Sequence, residues 1–253
     1  MKEAIIYLLV IIVAELVTIL VQPVWGVVCH AIVLVAVVVH SALANDYRYR
    51  HWVLSLALVP LVRIISLGTP LANIPQIWWY PIIYAPLLVA AIVVERIVGY
   101  RAKEIGLNFN SFPIQLAVAL SGFLFGVMEY FILTPEPMIT ELTWQEVWLP
   151  ALIFLTCTGF VEEFIFRGVL QRTAVEVFGS WWGIVYVSLL FASAHLIHYW
   201  EVGPIRILID VAFVFSIALF FGWVVKKTGS LFGVILAHGT TNALLYLVVP
   251  FFF

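Results

Sequence analysis

Nine stretches of about 16–21 mostly apolar residues follow one another along this chain, and they leave it few ways to fold. A stretch of that length crosses the hydrocarbon core as an α-helix, because a helix satisfies its own backbone groups where no water can. A transmembrane β-barrel would read instead as short segments of alternating polarity. Composition closes the other routes. Of 253 residues, 64% are hydrophobic and 10% charged, and the mean hydropathy is +1.14. Soluble domains carry about a quarter charged residues, so a soluble enzyme, a disordered chain and a disulfide-stapled secreted scaffold are excluded. The expected fold class is all-α: a polytopic transmembrane helix bundle of about 8–9 spans.

The spans are read at 4–21, 24–44, 52–67, 78–98, 113–134, 148–167, 181–198, 205–225 and 230–249. Pro23, Pro113 and Pro150 stand near span starts, where a missing N–H costs least. Pro60, Pro81 and Pro86 should kink or tilt theirs. Segment 99–112 is the most polar stretch between spans and marks a boundary between N-terminal helices (1–110) and a C-terminal part (111–253). Residues 135–147 are expected to form a short, partly acidic surface helix. Orientation follows from Lys and Arg in the loops. Lys2, Arg48 and Arg50, then Arg96, Arg101 and Lys103, then Arg172, then Lys226 and Lys227 fall on one side. The intervening loops carry neither residue, which places the N-terminus in the cytoplasm. The source is read as a prokaryotic cell membrane.

A net charge of -2 points to no nucleic-acid partner. Cys29 and Cys157 lie in apolar runs and read as buried thiols. Lys2 before an apolar stretch resembles a signal peptide, but Glu15 interrupts it and no small-residue cleavage site follows, so it reads as a retained helix.

Ionisable side chains inside spans are expensive and mark function. The sixth span holds Glu162, Glu163 and Arg167, the seventh His195 and His198, and the ninth His238 and Asn242. Glu163 and Arg167 are four apart and can pair on one face, with Glu162 turned about 100° away toward a cavity. His238 and Asn242 share a face, as do Phe191 and His195. A free carboxylate, two imidazoles and a carboxamide suit hydrolysis. The carboxylate takes a proton from water, a histidine shares it or passes it to the leaving amine, and a second histidine with an asparagine donates to an oxyanion. No G-x-S-x-G and no H-E-x-x-H occurs.

These residues resemble the three motifs of the CPBP family, the type II CAAX prenyl endopeptidases and bacteriocin-processing proteins, also called the ABI family. The motifs are Glu162-Glu163-x-x-x-Arg167, Phe191-x-x-x-His195 and His238-x-x-x-Asn242, in the family's order, within roughly residues 113–249. The resemblance implies an intramembrane glutamate-dependent peptidase with a cavity open to the cytosol. By it, Glu162 and His195 activate water, His238 and Asn242 form the oxyanion hole, and Glu163, Arg167 and Phe191 support the site. The glutamate mechanism needs no metal; zinc held by Glu162, His195 and His238 is the alternative, and the metal stays open. The implied partners are membrane lipid and a peptide or protein substrate. That substrate is a prenylated C-a-a-X tail where the source makes one, and otherwise a leader peptide or membrane protein.

Other readings stand beside these. A transporter would use the same acids and histidines to bind ions, and a scaffold or immunity protein would not use them chemically. His198, next to Tyr199 and Trp200, reads as part of an interfacial belt. Glu129 and Asp210 are further buried candidates, whereas Glu15, Glu95, Arg63 and His40 read as span-end or snorkelling residues. Straight helices at 1.5 Å per residue would leave Glu162 and His195 about 7 Å to opposite sides of mid-membrane. A shared site therefore requires spans six and seven to be tilted or broken.

Overall fold

The computed structural model describes residues 2–253, and these form helices with no strand among them. Helices α1 (Lys2–Leu20) and α2 (Pro23–Leu43) pack as a hairpin, with Pro23 opening α2. The third span begins earlier than its apolar run, at Tyr47, because Asp46 accepts the Tyr49 N–H and caps the helix. It comprises α3 (Tyr47–Leu56) and α4 (Leu58–Gly68), broken at Ala57. Pro60 lies in the first turn of α4, where its ring removes the bond that would have reached back across the break. Helices α5 (Trp79–Val98) and α6 (Phe112–Leu133) follow, with Pro86 inside α5.

The expected surface helix at 135–147 does not form. Residues 134–143 are irregular, and Glu146 accepts the N–H groups of Thr140 and Glu141 to end that stretch at α7 (Trp144–Phe154). Consequently Pro150 lies inside the helix rather than at its start. The sixth span is far longer than its apolar core. From α7 it passes through π-helical turns at Leu155–Glu162 and Phe164–Leu170 into α8 (Gln171–Phe178) without leaving the helix.

Eight segments are long and apolar enough to cross a membrane. One of them, Ser180–Thr228, doubles back on itself. It holds α9 (Ser180–Ala194), a 3₁₀ turn at His195–His198 and α10 (Tyr199–Thr228), with Gly203 at φ 75° breaking the helical path. Helices α9 and α10 lie side by side, so the expected seventh and eighth spans are distinct. Helix α11 (Phe232–Ala243) runs on through π and 3₁₀ turns to Phe251.

The core draws on both sides of the polar segment 99–112. Fully buried Trp52 of α3 meets Phe178 at 4.7 Å and Tyr186 at 5.9 Å between ring centres. Segment 99–112 is itself pinned: Gly106 O accepts the Leu231 N–H, and Ser230 donates to Asn108 O. Helix α11 sits unusually close to the π-helical run. A Cβ on Gly159 would fall 2.6 Å from the Ile235 carbonyl oxygen, and one on Gly239 would fall 2.7 Å from Leu155 Cα. Small residues on both faces let two backbones approach where lipid offers no hydrophobic drive to associate.

Of the four residues read as span-end or snorkelling residues, His40 lies in the last turn of α2 and Glu95 near the end of α5, whereas Glu15 and Arg63 do not snorkel. Glu15 and Arg63 are both buried and paired, Nε to Oε2 at 2.8 Å, with His30 Nε2 3.7 Å from Glu15. Glu95 is buried beside Arg96, and His40 Nδ1 is 2.7 Å from the Tyr7 hydroxyl. Apolar flanks hid these residues, since hydropathy says nothing about which helix face meets protein.

Candidate active site

The π-helical stretch carries the first motif. Such turns are rare, occur often at functional sites, and hold more residues each than an α-turn. The sixth span is therefore shorter than a straight α-helix of the same number of residues. Span six also extends well beyond its apolar run, over Trp144–Phe178, and α9 ends where the 3₁₀ turn begins at His195, so neither is the straight helix from which the depth mismatch is reckoned.

Glu163 and Arg167 pair as their spacing predicts, Nη1 to Oε1 at 2.9 Å, both side chains buried. The guanidinium also lies over the Phe191 ring, 4.2 Å from its centre. The same Glu163 oxygen receives His238 Nδ1 at 2.8 Å. A carboxylate only accepts, so Nδ1 carries the proton and the other nitrogen is turned outward. That nitrogen, Nε2, lies 3.8 Å from Glu162 Oε2. Glu163 thus locks one end of the imidazole while Glu162 faces the other.

The second motif joins through Phe191. Its ring centre is 5.7 Å from that of His238 and 5.0 Å from that of His195. His195 Nδ1 lies 3.0 Å from the Phe191 carbonyl oxygen, the turn-to-turn contact their spacing allows. This N–H donation leaves Nε2 as the free nitrogen. His195 and Phe191 line two cavities. One, of about 140 Å³, is lined by Glu162, Tyr84, Arg63 and His198 among others. The second, of about 30 Å³, is lined by His238, Asn242 and Glu129. Glu162 lines the first cavity and Asn242 the second, and His195 borders both.

Three features were not legible as site residues. Tyr84 of α5 donates its hydroxyl to Glu162 Oε1; a tyrosine in an apolar span carries no signal of its own. Arg63 donates to the carbonyl of Ala194, the residue before His195. His198, beside Tyr199 and Trp200, has its Nδ1 3.1 Å from Oδ2 of fully buried Asp210. Among the described residues, no group of three His, Cys, Asp or Glu side chains is arranged to hold a metal ion.

Fold and site together define a multi-pass integral membrane protein whose buried carboxylates and imidazoles meet between its helices. Residues 143–244 match the family model of the Rce1-like type II CAAX prenyl endopeptidases. All three motifs lie inside the match, and this part of the chain is similar to the Rce1-like type II CAAX prenyl endopeptidases. The preceding 142 residues lie outside the matched segment. No curated protein and no solved structure matches the chain.

Proposed function

We propose that the protein is an intramembrane endopeptidase in which Glu162 and His195 activate water and His238 with Asn242 stabilises the oxyanion. The observation that carries this reading is the arrangement around His238, with Glu163 on Nδ1 and Glu162 Oε2 facing Nε2. Glu162 takes a proton from water as the oxygen attacks the scissile carbonyl. The tetrahedral intermediate collapses as that proton, passed on by Glu162 or His195, goes to the leaving amine. Because His238 already gives its Nδ1 proton to Glu163, donation to an oxyanion requires a second proton on Nε2. The substrate is a C-terminal C-a-a-X tail where prenylated proteins are made, and otherwise a leader peptide or membrane protein cut near the cytosolic face. On the metal-free mechanism, chelator should leave activity unchanged. Purified protein in detergent, given prenylated and unprenylated reporter peptides with and without chelator, tests this directly.

Two further outcomes are expected. His238→Ala and Asn242→Ala should each slow turnover by about 10²–10³, with a smaller effect on substrate affinity, as for loss of one oxyanion donor. If His238 held zinc instead, Asn242→Ala would be nearly normal and His238→Ala would lose both metal and activity. Steady-state kinetics with metal analysis separates the two cases. For topology, cysteines placed in 99–112 and 226–229 should react with an impermeant maleimide only from the cytoplasmic side, following the Lys and Arg count. Labelling of either segment from outside would reverse the proposed orientation.

A further inference from the structure

We infer that the N-terminal helices are a working part of the catalytic site: Tyr84 positions Glu162, and Arg63, neutralised by Glu15, positions His195. This rests on the peptidase reading for its kinetic consequence, but not for the couplings themselves. Both residues lie outside the segment that matches the family model.

Tyr84 acts on the carboxylate. Its hydroxyl occupies Oε1 of Glu162, so only Oε2 faces His238 and the space between them. The phenol therefore selects which oxygen meets the water. Its ring cannot swing freely. Tyr84 stacks on Tyr80, with ring centres 6.3 Å apart, and Tyr80 meets the edge of Phe154 at 4.8 Å. Phe154 in turn stacks on Tyr246 beyond α11. An aromatic ladder from α5 through α7 to the end of the chain thus aims one hydroxyl at one oxygen. In a water-poor interior such a bond to a charged group is among the stronger single contacts.

Arg63 acts on the histidine through the backbone. Its Nε meets both oxygens of Glu15, and its Nη2 reaches the Ala194 carbonyl. That carbonyl lies where α9 gives way to the 3₁₀ turn, a place where helix carbonyls have lost their own partners. A lone guanidinium there would be prohibitively costly in lipid, and the buried Glu15 removes most of that cost. The planar fork suits the task, since one edge serves the carboxylate and a remaining N–H serves the carbonyl. The backbone preceding His195 is therefore tied to α1 and α4 rather than left to the turn.

The test uses the full chain in detergent. Glu162 is modified with dicyclohexylcarbodiimide and His195 with diethylpyrocarbonate, and each rate is followed by mass spectrometry of the peptide concerned. Tyr84→Phe, which removes one oxygen, should keep the melting temperature and speed carbodiimide modification of Glu162 about tenfold as Oε1 is freed. The paired variant Glu15→Gln/Arg63→Met removes both charges at once, and should change the acylation rate of His195 several-fold. Arg63→Lys keeps the charge without the fork, and should show the same change at His195 if the paired variant fails to fold. On reporter peptide, each variant should lose roughly tenfold to a hundredfold in kcat with KM within about twofold. Unchanged Glu162 modification in Tyr84→Phe overturns the role of Tyr84, and unchanged His195 acylation in the Arg63 variants overturns that of Arg63. If the wild-type protein cleaves no reporter, the peptidase reading fails, while the modification rates still decide both couplings.

Discussion

Glu162→Gln should slow hydrolysis by orders of magnitude and leave the fold intact. The amide has the size of the carboxylate, and its oxygen can still accept from Tyr84, so the contact to α5 survives. What is lost is the ability to take a proton from water in the transition state. A positioned general base contributes about 10²–10⁴ in rate, and turnover should fall by that much with KM little changed. Reporter-peptide kinetics beside a thermal melt checks both halves. An active Glu162→Gln would move the base elsewhere, and His195, which borders the same cavity, would be the first residue to examine.

Arg167→Ala is expected to produce the largest loss of stability of any single substitution in the site. The side chain is buried, pairs with Glu163 and covers the Phe191 ring. Its removal strands a buried carboxylate, which typically costs about 3–5 kcal/mol. A cation–π contact worth about 1–2 kcal/mol in a desolvated setting goes with it. Poor expression and a clearly lowered melting temperature should follow. The double variant Glu163→Gln/Arg167→Met should recover much of that stability, because no unpaired charge remains, but not activity. His238 would then have lost the carboxylate that holds its Nδ1. A stable, inactive Arg167→Ala would show that the guanidinium serves substrate rather than fold.

Spacing alone paired Glu163 with Arg167, since four residues on a helix bring two side chains to one face whatever surrounds them. Spacing likewise brought Phe191 beside His195. It failed where the helix departs from α geometry. The π turns at Leu155–Glu162 and Phe164–Leu170 have no signature in hydropathy, and straight α-helices would have held the first two motifs apart in depth. The irregular stretch before Trp144 was misread for a related reason. Its acidic and apolar pattern suits a helix, but Glu146 folds back to cap the backbone at Thr140 and Glu141.

The amino-acid sequence by itself determined the solvent and the class of fold. Runs of twenty apolar residues have one stable state in a bilayer, and that preference is local. It also determined which side chains are chemically expensive enough to demand a purpose. The three motifs were therefore legible from residue type and spacing together with the resemblance to the CPBP family. Only the tertiary structure decided their partners on other helices. Glu15 and Arg63 are 48 positions apart and Tyr84 and Glu162 78 apart, separations at which no periodicity speaks. Helix rotation decides whether a charge faces lipid, water or another charge, and packing sets that rotation through contacts such as those of Gly159 and Gly239 against their neighbours. Hydropathy averages over the faces of a helix. For that reason it found the spans and missed the buried contacts of Arg63 and Tyr84 that join the two halves of the chain.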